Sequence, residues 1–376
     1  MRTVLLVSPQ FVPSPLAAVH RVRHLAKHLP AHGWRPVVIR VDEAFYAERP
    51  DRDLAKLVPD DVEQIRTPAI AGGLARLGAV GDLGLRGYPY LRAAIDEAVE
   101  RYRPSVVFFT GFPFYQMLLA GRVSRRHGLP VVLDFQDPWV SAYGATRPSL
   151  SKEGLAHRLA LMLEPRVLRH AAFITGVSET QNADMASRYP WLDARRMAAI
   201  PIGGDPEDFA AVGLGDGAPM EDVIELRYVG AFWPRAEPVV RGLMRGMALL
   251  REREPQMARR LRLTFTGTAS ASRPDVEPPQ PVEAIARDEG VAEFVREHPD
   301  RAPFVEALRL MATAPGLILV GSDEPHYTAS KIYPALMSGR PYLSLFHRLS
   351  SAHTVLGAAG GGVALGFDGA DELTAL

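Results

Sequence analysis

Cysteine is absent from this chain of 376 residues. Its absence excludes disulfides, a thiol nucleophile and thiolate zinc sites. It also fits a reducing, cytoplasmic setting, which is the expected location. Lysine is nearly absent: Lys27, Lys56, Lys152 and Lys331 are the four among 43 basic residues. Net charge is lacking too, since 43 acidic side chains balance the basic ones without a long run of either sign. Nothing in that balance points to nucleic acid. Long apolar runs are missing: "VVFFTGFPFYQMLLAG" is interrupted by Pro113 and Gln116, so no membrane span is expected. The opening "MRTVLLVSPQ" has an apolar run of only four residues, short for a secretory leader, and is expected to form a buried strand. Short arginine clusters such as "SRRHG" leave room for peripheral contact with a lipid surface. Three nucleotide or nucleophile fingerprints are also missing. No G-x-G-x-x-G follows the first strand of either half, no G-x-x-x-x-G-K-[ST] occurs, and there is no G-x-S-x-G. A nicotinamide dinucleotide, P-loop ATP hydrolysis and a hydrolase elbow are therefore disfavoured.

Short apolar runs do occur, alternating with amphipathic stretches. "TVLLVS", "RPVVIRV", "SVVFFTG", "LPVVLDFQD", "AAFITGVS" and "RMAAIPIGGD" read as strands. Helical spacing separates them at 17–33, 91–102 and in "YQMLLAGRVSRRHG". A stretch rich in Gly, Asp and Pro at 206–223 reads as a linker. The alternation then restarts with "IELRYVGAF", "LRLTFTGT", "GLILVGSD", "PYLSLF" and "GVALGF". Strands joined by single helices make βαβ units and parallel sheets. The expected architecture is α/β: an N-terminal domain over 1–205 and a C-terminal domain over 224–376, two doubly wound sheets facing across a cleft. The final "DELTAL" resembles the first turn of a further helix, which suggests a chain cut short there, with a natural end as the alternative.

Ligands of doubly wound sheets bind beyond the carboxyl ends of the strands, so the candidate residues are sought there. "VVLDFQDPWV" places Asp134, Gln136 and Asp137 at a strand exit with Trp139 as a wall; a turn at Asp137–Pro138 is the alternative. "TGFPFYQ" brings Phe112 to a turn that either shapes an acceptor pocket or is only a turn. Ser178 and Gln181 have capping-box spacing. His20 and Arg21 open the first helix, where Arg21 could engage an anion. His20, His24, His28 and His32 share one helical stripe, read as solvated rather than metal-binding, and no metal is expected. In the second half, Gly230 would let a phosphate or sugar approach the backbone, and Arg235 is either a phosphate partner or an exposed arginine. "TASKIYPALMSGRP" starts a helix after a strand, with Ser330 as expected cap and Lys331 beside it. A cation at a helix start is unfavourable alone, and an anionic ligand would remove the conflict.

These segments, in this order, resemble GT-B glycosyltransferases of the family 4 type across nearly the whole chain. "QFVPSPLAAVHRVRHLAKHLPAHGWRPVVIRV" resembles their opening strand, acceptor loop and helix. "GLPVVLDFQDPW", "AAFITGVSETQNADM", "IPIGGDPEDF" and "SKIYPALMSGRPYLSLF" resemble their later segments. The resemblance implies transfer of a sugar from a nucleotide-sugar donor, held by the C-terminal domain, to an unknown acceptor on the N-terminal one. It implies retention of configuration, no divalent metal and no separate cofactor. By that resemblance Gly230, Arg235, Ser330 and Lys331 would hold the donor phosphates, with Tyr333 a candidate for the ribose. His20 and Asp137 would be the catalytic candidates, and Arg21, Phe112, Asp134 and Trp139 would serve the acceptor.

Three residues depart from the family pattern. Val240 stands where a lysine is common, Gln136 where an arginine is common, and Pro334 where a glutamate commonly holds ribose hydroxyls. Two alternatives stay open on the same fold. One is a nucleotide-sugar epimerase. The other is a non-catalytic binding protein in polysaccharide or glycolipid assembly.

Overall fold

The computed structural model describes residues 1–72, 81–212, 222–269, 278–324, 329–369 and 372–374. They form two compact units, Met1–Ile202 and Gly203–Leu376. In the first unit the strands are β1 (Arg2–Val7), β2 (Trp34–Val41), β3 (Glu63–Thr67), β4 (Val106–Gly111), β5 (Val131–Phe135), β6 (Phe173–Gly176) and β7 (Met197–Ala199). They build one sheet in the order β3-β2-β1-β4-β5-β6-β7, parallel at every pairing. Helices cover both faces, so the strands need apolar side chains on both sides. Leu5, Val7, Val37, Ile39, Val107, Phe109, Leu133 and Phe135 are accordingly buried in one core.

Three elements of this unit differ from the sequence reading. β3 was not expected, because "EQIRT" carries a single aliphatic residue. The helix expected at 91–102 runs over Leu83–Tyr102 and starts where the Asp82 carboxylate accepts the Leu85 N–H at 2.9 Å. Gly84, Gly87 and Pro89 disguise its first turns. The helix continues through them because Leu83, Leu91, Ala94, Ile95 and Ala98 bury one face. The third is the helix Lys152–Leu168, which contains Pro165 and exposes Leu155, Leu161 and Met162. Its pattern has no clean apolar stripe.

The second unit contains β8 (Ile224–Val229), β9 (Leu261–Thr266), β10 (Val295–His298), β11 (Gly316–Val320), β12 (Tyr342–His347) and β13 (Gly362–Phe367). Their order is β10-β9-β8-β11-β12-β13, again parallel. Strand alternation assigns side chains to faces: Ile318 and Val320 join one core, Leu317 and Leu319 the other. The expected linker at 206–223 begins instead as the helix Pro206–Val212. The Asp205 carboxylate accepts the Glu207 N–H at 3.0 Å ahead of it, and Phe209 packs with Leu308 and Ala312. Residues 213–221 of that stretch lie outside the described residues. Among the described residues, no helix is long and apolar enough to cross a membrane.

Candidate active site

In each sheet the strand order reverses beside its first strand, at β1/β4 and at β8/β11. The loops leaving those carboxyl ends diverge and open a crevice for ligands.

In the C-terminal unit β8 is followed by Gly230, whose φ of +144° lies where side chains are rarely tolerated. A Cβ there would stand 3.0 Å from Lys331 Nζ. The Lys331 ammonium donates to Tyr228 Oη and lies 4.2 Å from the Tyr228 ring centroid, a cation–π distance. Tyr228 in turn donates its own proton to the Ala231 carbonyl at 2.8 Å. Burial pushes the Tyr228 phenol well above its ordinary pKa, so it stays neutral. Lys331 is therefore fixed at the end of the central strand by a neutral partner.

Arg235 has a different setting from the expected one. Its Nε contacts Asp323 Oδ1 at 2.8 Å and its Nη1 donates to Glu324. That ion pair ties the loop after β8 to the loop after β11, so the guanidinium faces carboxylates rather than an open anion site. Ser330 also departs from expectation: it does not cap. Lys331 holds the N-cap position in a helical conformation with no side-chain cap, and the helix is Ile332–Met337. The Ser330 carbonyl accepts the Tyr333 N–H at 3.3 Å. The Ala329 carbonyl likewise accepts the Ile332 N–H at 3.2 Å, so the turn runs directly into the helix. Pro334 sits at the third helical position, within the first turn where its missing N–H matters least. Tyr333 is half-buried against the core that holds Ile332 and Ala335. Val240 is fully buried in the other core, which explains an aliphatic residue there.

In the N-terminal unit the predicted residues converge but turn inward. Asp134 is fully buried. It accepts Thr110 Oγ1 at 2.9 Å, Thr175 Oγ1 at 2.7 Å and Arg21 Nε at 3.3 Å. Arg21, 6% exposed, also donates to the Pro201 carbonyl at 2.7 Å and to the Ile200 carbonyl. Gln136 Nε2 reaches Thr110 Oγ1 at 2.6 Å and the Ala18 carbonyl at 2.9 Å. Burial raises the Asp134 pKa, and Arg21 and the two threonines oppose that rise. Arg21 and Asp134 thus act as a buried brace under the strand ends, not as open acceptor contacts. The brace holds the start of the helix Val19–His28, which carries His20. His20 is half-buried, and burial, then Arg23 and His24, depresses its pKa, which keeps the imidazole neutral near pH 7.

Trp139 likewise differs from the expected pocket wall. It is buried, stacked on Phe114 at 5.3 Å and edge-on to Tyr115 at 5.8 Å. Phe112 is 45% exposed and Asp137 is exposed, so these two remain presented to solvent. Ser178 caps the helix Glu179–Arg188, accepting the Gln181 N–H at 3.2 Å, while the Gln181 side chain returns to the Val177 N–H. Thr110, Thr175, Tyr228, Asp323 and Glu324 had not been singled out from sequence. A faint signal existed for the threonines: each precedes a glycine at a strand end, in "FFTG" and "FITG".

Residues 17–203 match the family described as a glycosyl transferase 4-like domain. The chain is a glycosyltransferase 4-like protein of the GT-B fold. Its reaction class is glycosyl transfer. Three solved structures illustrate the fold of this glycosyltransferase. Sucrose-phosphate synthase from Thermosynechococcus elongatus is 15% identical, over 100% of this chain and 88% of its own, with a TM-score of 0.63. The trehalose-6-phosphate structure from E. coli bound with UDP-2-fluoro glucose is 13% identical, over 99% and 90%, with a TM-score of 0.60. The UDP-GlcNAc 2-epimerase from Methanocaldococcus jannaschii is 9% identical, over 99% and 90%, with a TM-score of 0.53. At such identities the likeness speaks for the fold. No curated protein sequence matches significantly.

Proposed function

We propose that this glycosyltransferase moves a sugar from a nucleoside-diphosphate donor to an acceptor. The donor diphosphate would sit at Gly230 and Lys331, and the acceptor beside His20, Phe112 and Asp137. The observation that carries this reading is the Lys331 ammonium, held by Tyr228 at the carboxyl end of β8. Breaking the sugar–phosphate bond places charge on the leaving diphosphate. A fixed cation stabilises that charge without reorganising. One charge-assisted hydrogen bond contributes about 1.5–3 kcal/mol. Gly230, lacking a Cβ, leaves the backbone open beside it. Tyr333 is the candidate for the ribose, since Pro334 has no side-chain acceptor.

The neutral His20 imidazole can accept a hydrogen bond from a sugar or acceptor hydroxyl, with Asp137 as the nearby carboxylate on the same strand-end side. Retention of configuration and activity without divalent metal belong to the same proposal, as does a role in polysaccharide or glycolipid assembly. The E. coli structure bound with UDP-2-fluoro glucose makes UDP-sugars the first donors to try. Incubation with a panel of nucleotide sugars, with and without EDTA, tests it. Release of one nucleoside diphosphate that EDTA does not abolish is expected. Epimerised sugar without nucleotide release would transfer the reading to an epimerase. Absence of a thermal shift with every nucleotide would overturn the donor site.

A further inference from the structure

A cavity of about 320 Å³ opens in the N-terminal unit, and none of the residues assigned to transfer lines it. Arg40, Arg52 and Arg66 line it, with Glu43, Asp60 and Gln64. Arg40 on β2 and Arg66 on β3 are register partners in the parallel ladder, so their side chains leave the same face side by side. Like charges placed opposite each other destabilise a sheet. Arg40 is also 1% exposed, and a buried cation needs compensation.

The compensation available inside the protein is mostly neutral. Arg40 donates to Gln64 Oε1 at 3.0 Å, to the Val41 carbonyl at 3.3 Å and to Tyr46 Oη at 3.5 Å. Its one carboxylate among the described residues, Glu43, lies at 3.8 Å, whereas Arg52 takes the same Glu43 at 2.9 Å. Arg66 is exposed and makes no ion pair with a described residue. Three guanidiniums therefore face one space with two carboxylates in its wall.

We propose that this cavity is a binding site for a phosphate-type oxyanion. Guanidinium groups match such an ion through paired N–H donors. Arg40 is held in place by Gln64 and Tyr46, so little ordering remains to be done for it. Arg52 and Arg66 at the rim close on the ion. At roughly 30 Å³ per water molecule the space exceeds what a bare phosphate needs, leaving room for the carbon skeleton of a phosphate monoester. The wall includes Val12 and Pro13, from the loop between β1 and the helix that carries His20. The Pro13 carbonyl accepts the Asp51 N–H at 2.7 Å, joining that loop to the segment that roofs the cavity.

The test is calorimetric titration of the full chain with inorganic phosphate, with a hexose monophosphate, and with sodium chloride at matched ionic strength. Phosphate is expected to bind where chloride does not. The Arg66→Ala variant, altered at an exposed position, should weaken binding by roughly ten-fold or more, with an unchanged circular dichroism spectrum and unchanged donor hydrolysis. Equal affinities for the two phosphate probes would identify the free ion as the ligand; tighter binding of the monophosphate would identify a phosphorylated metabolite or headgroup. Heat no larger than with chloride, or equal affinity in wild type and Arg66→Ala, would overturn the proposal.

Discussion

Lys331 and Tyr228 are 103 residues apart in sequence, yet the ammonium donates to the phenol oxygen and rests 4.2 Å from the ring centroid. The contact separates two contributions that mutagenesis can divide. Lys331→Ala removes the cation and should lower kcat/KM for the donor by roughly 10- to 150-fold. Tyr228→Phe keeps the ring and the cation but loses the phenol oxygen's two hydrogen bonds, from the Lys331 ammonium and to the Ala231 carbonyl, so a smaller loss than in Lys331→Ala is expected. Steady-state kinetics with a saturating acceptor checks both. An unchanged value in Lys331→Ala would remove the diphosphate role.

Gly230→Ala should impair both folding and activity. At φ +144° an L-residue is strained, which costs about 1–3 kcal/mol. The new methyl would also stand 3.0 Å from Lys331 Nζ and displace it. A lower urea midpoint together with a raised donor KM is expected. A variant with wild-type stability and KM would show that the backbone conformation there is dispensable.

The Arg21–Asp134 brace makes a prediction about stability alone. Asp134→Asn keeps the shape but leaves a buried guanidinium without its anion, a loss of about 3–5 kcal/mol. Replacing both residues, as Arg21→Met with Asp134→Asn, should lose less than the sum of the single variants, because no unpaired charge is left. Additive losses in chemical denaturation would mean that the two groups do not depend on each other.

Glu164 makes stability depend on pH. It is fully buried, with Arg188 Nη2 at 3.4 Å and Tyr189 Oη at 3.3 Å. Burial pushes its pKa from 4.5 up to about 7, against the opposing pull of Arg188. The folded state thus binds this proton more tightly than the unfolded one. Its contribution is largest below pH 4.5 and is lost as pH rises to about 7. Glu164→Gln should remove that decline, gaining on wild type by roughly 3 kcal/mol between pH 4.5 and pH 8. Urea unfolding at several pH values measures the difference. A gap that does not change with pH would refute the assignment.

How much of this was legible in the sequence follows from the range of each interaction. The two doubly wound sheets were legible, because buried parallel strands write themselves as short apolar runs. β3 was not, since one isoleucine among polar residues leaves no run. The helix start at Leu83 was hidden by Gly84, Gly87 and Pro89, whose local preferences oppose a helix that tertiary burial enforces. At the site, Gly230 and Lys331 could be picked out by their places after strands. Asp134 and Arg21 were also found, but whether a strand-end carboxylate faces outward or inward depends on Thr110, Thr175 and the carbonyl of Pro201. Those come from three other segments. The partners of Arg235 lie 88 and 89 residues away, beyond any local pattern. Ser330 shows the opposite failure: a familiar cap composition was present, and the tight turn left it unused.

The order of the first sheet sets a timetable for synthesis. β1 is central: one edge pairs with β2 at Leu6↔Val38, and the other waits for β4 at Leu6↔Phe108. About a hundred residues separate those last two partners, so at ribosomal speeds of roughly 5–20 residues per second the free edge stays open for about 5–20 s. During that interval one edge of "TVLLV" lacks a strand partner for its amides. Until β4 arrives, that edge is a template on which another chain could pair.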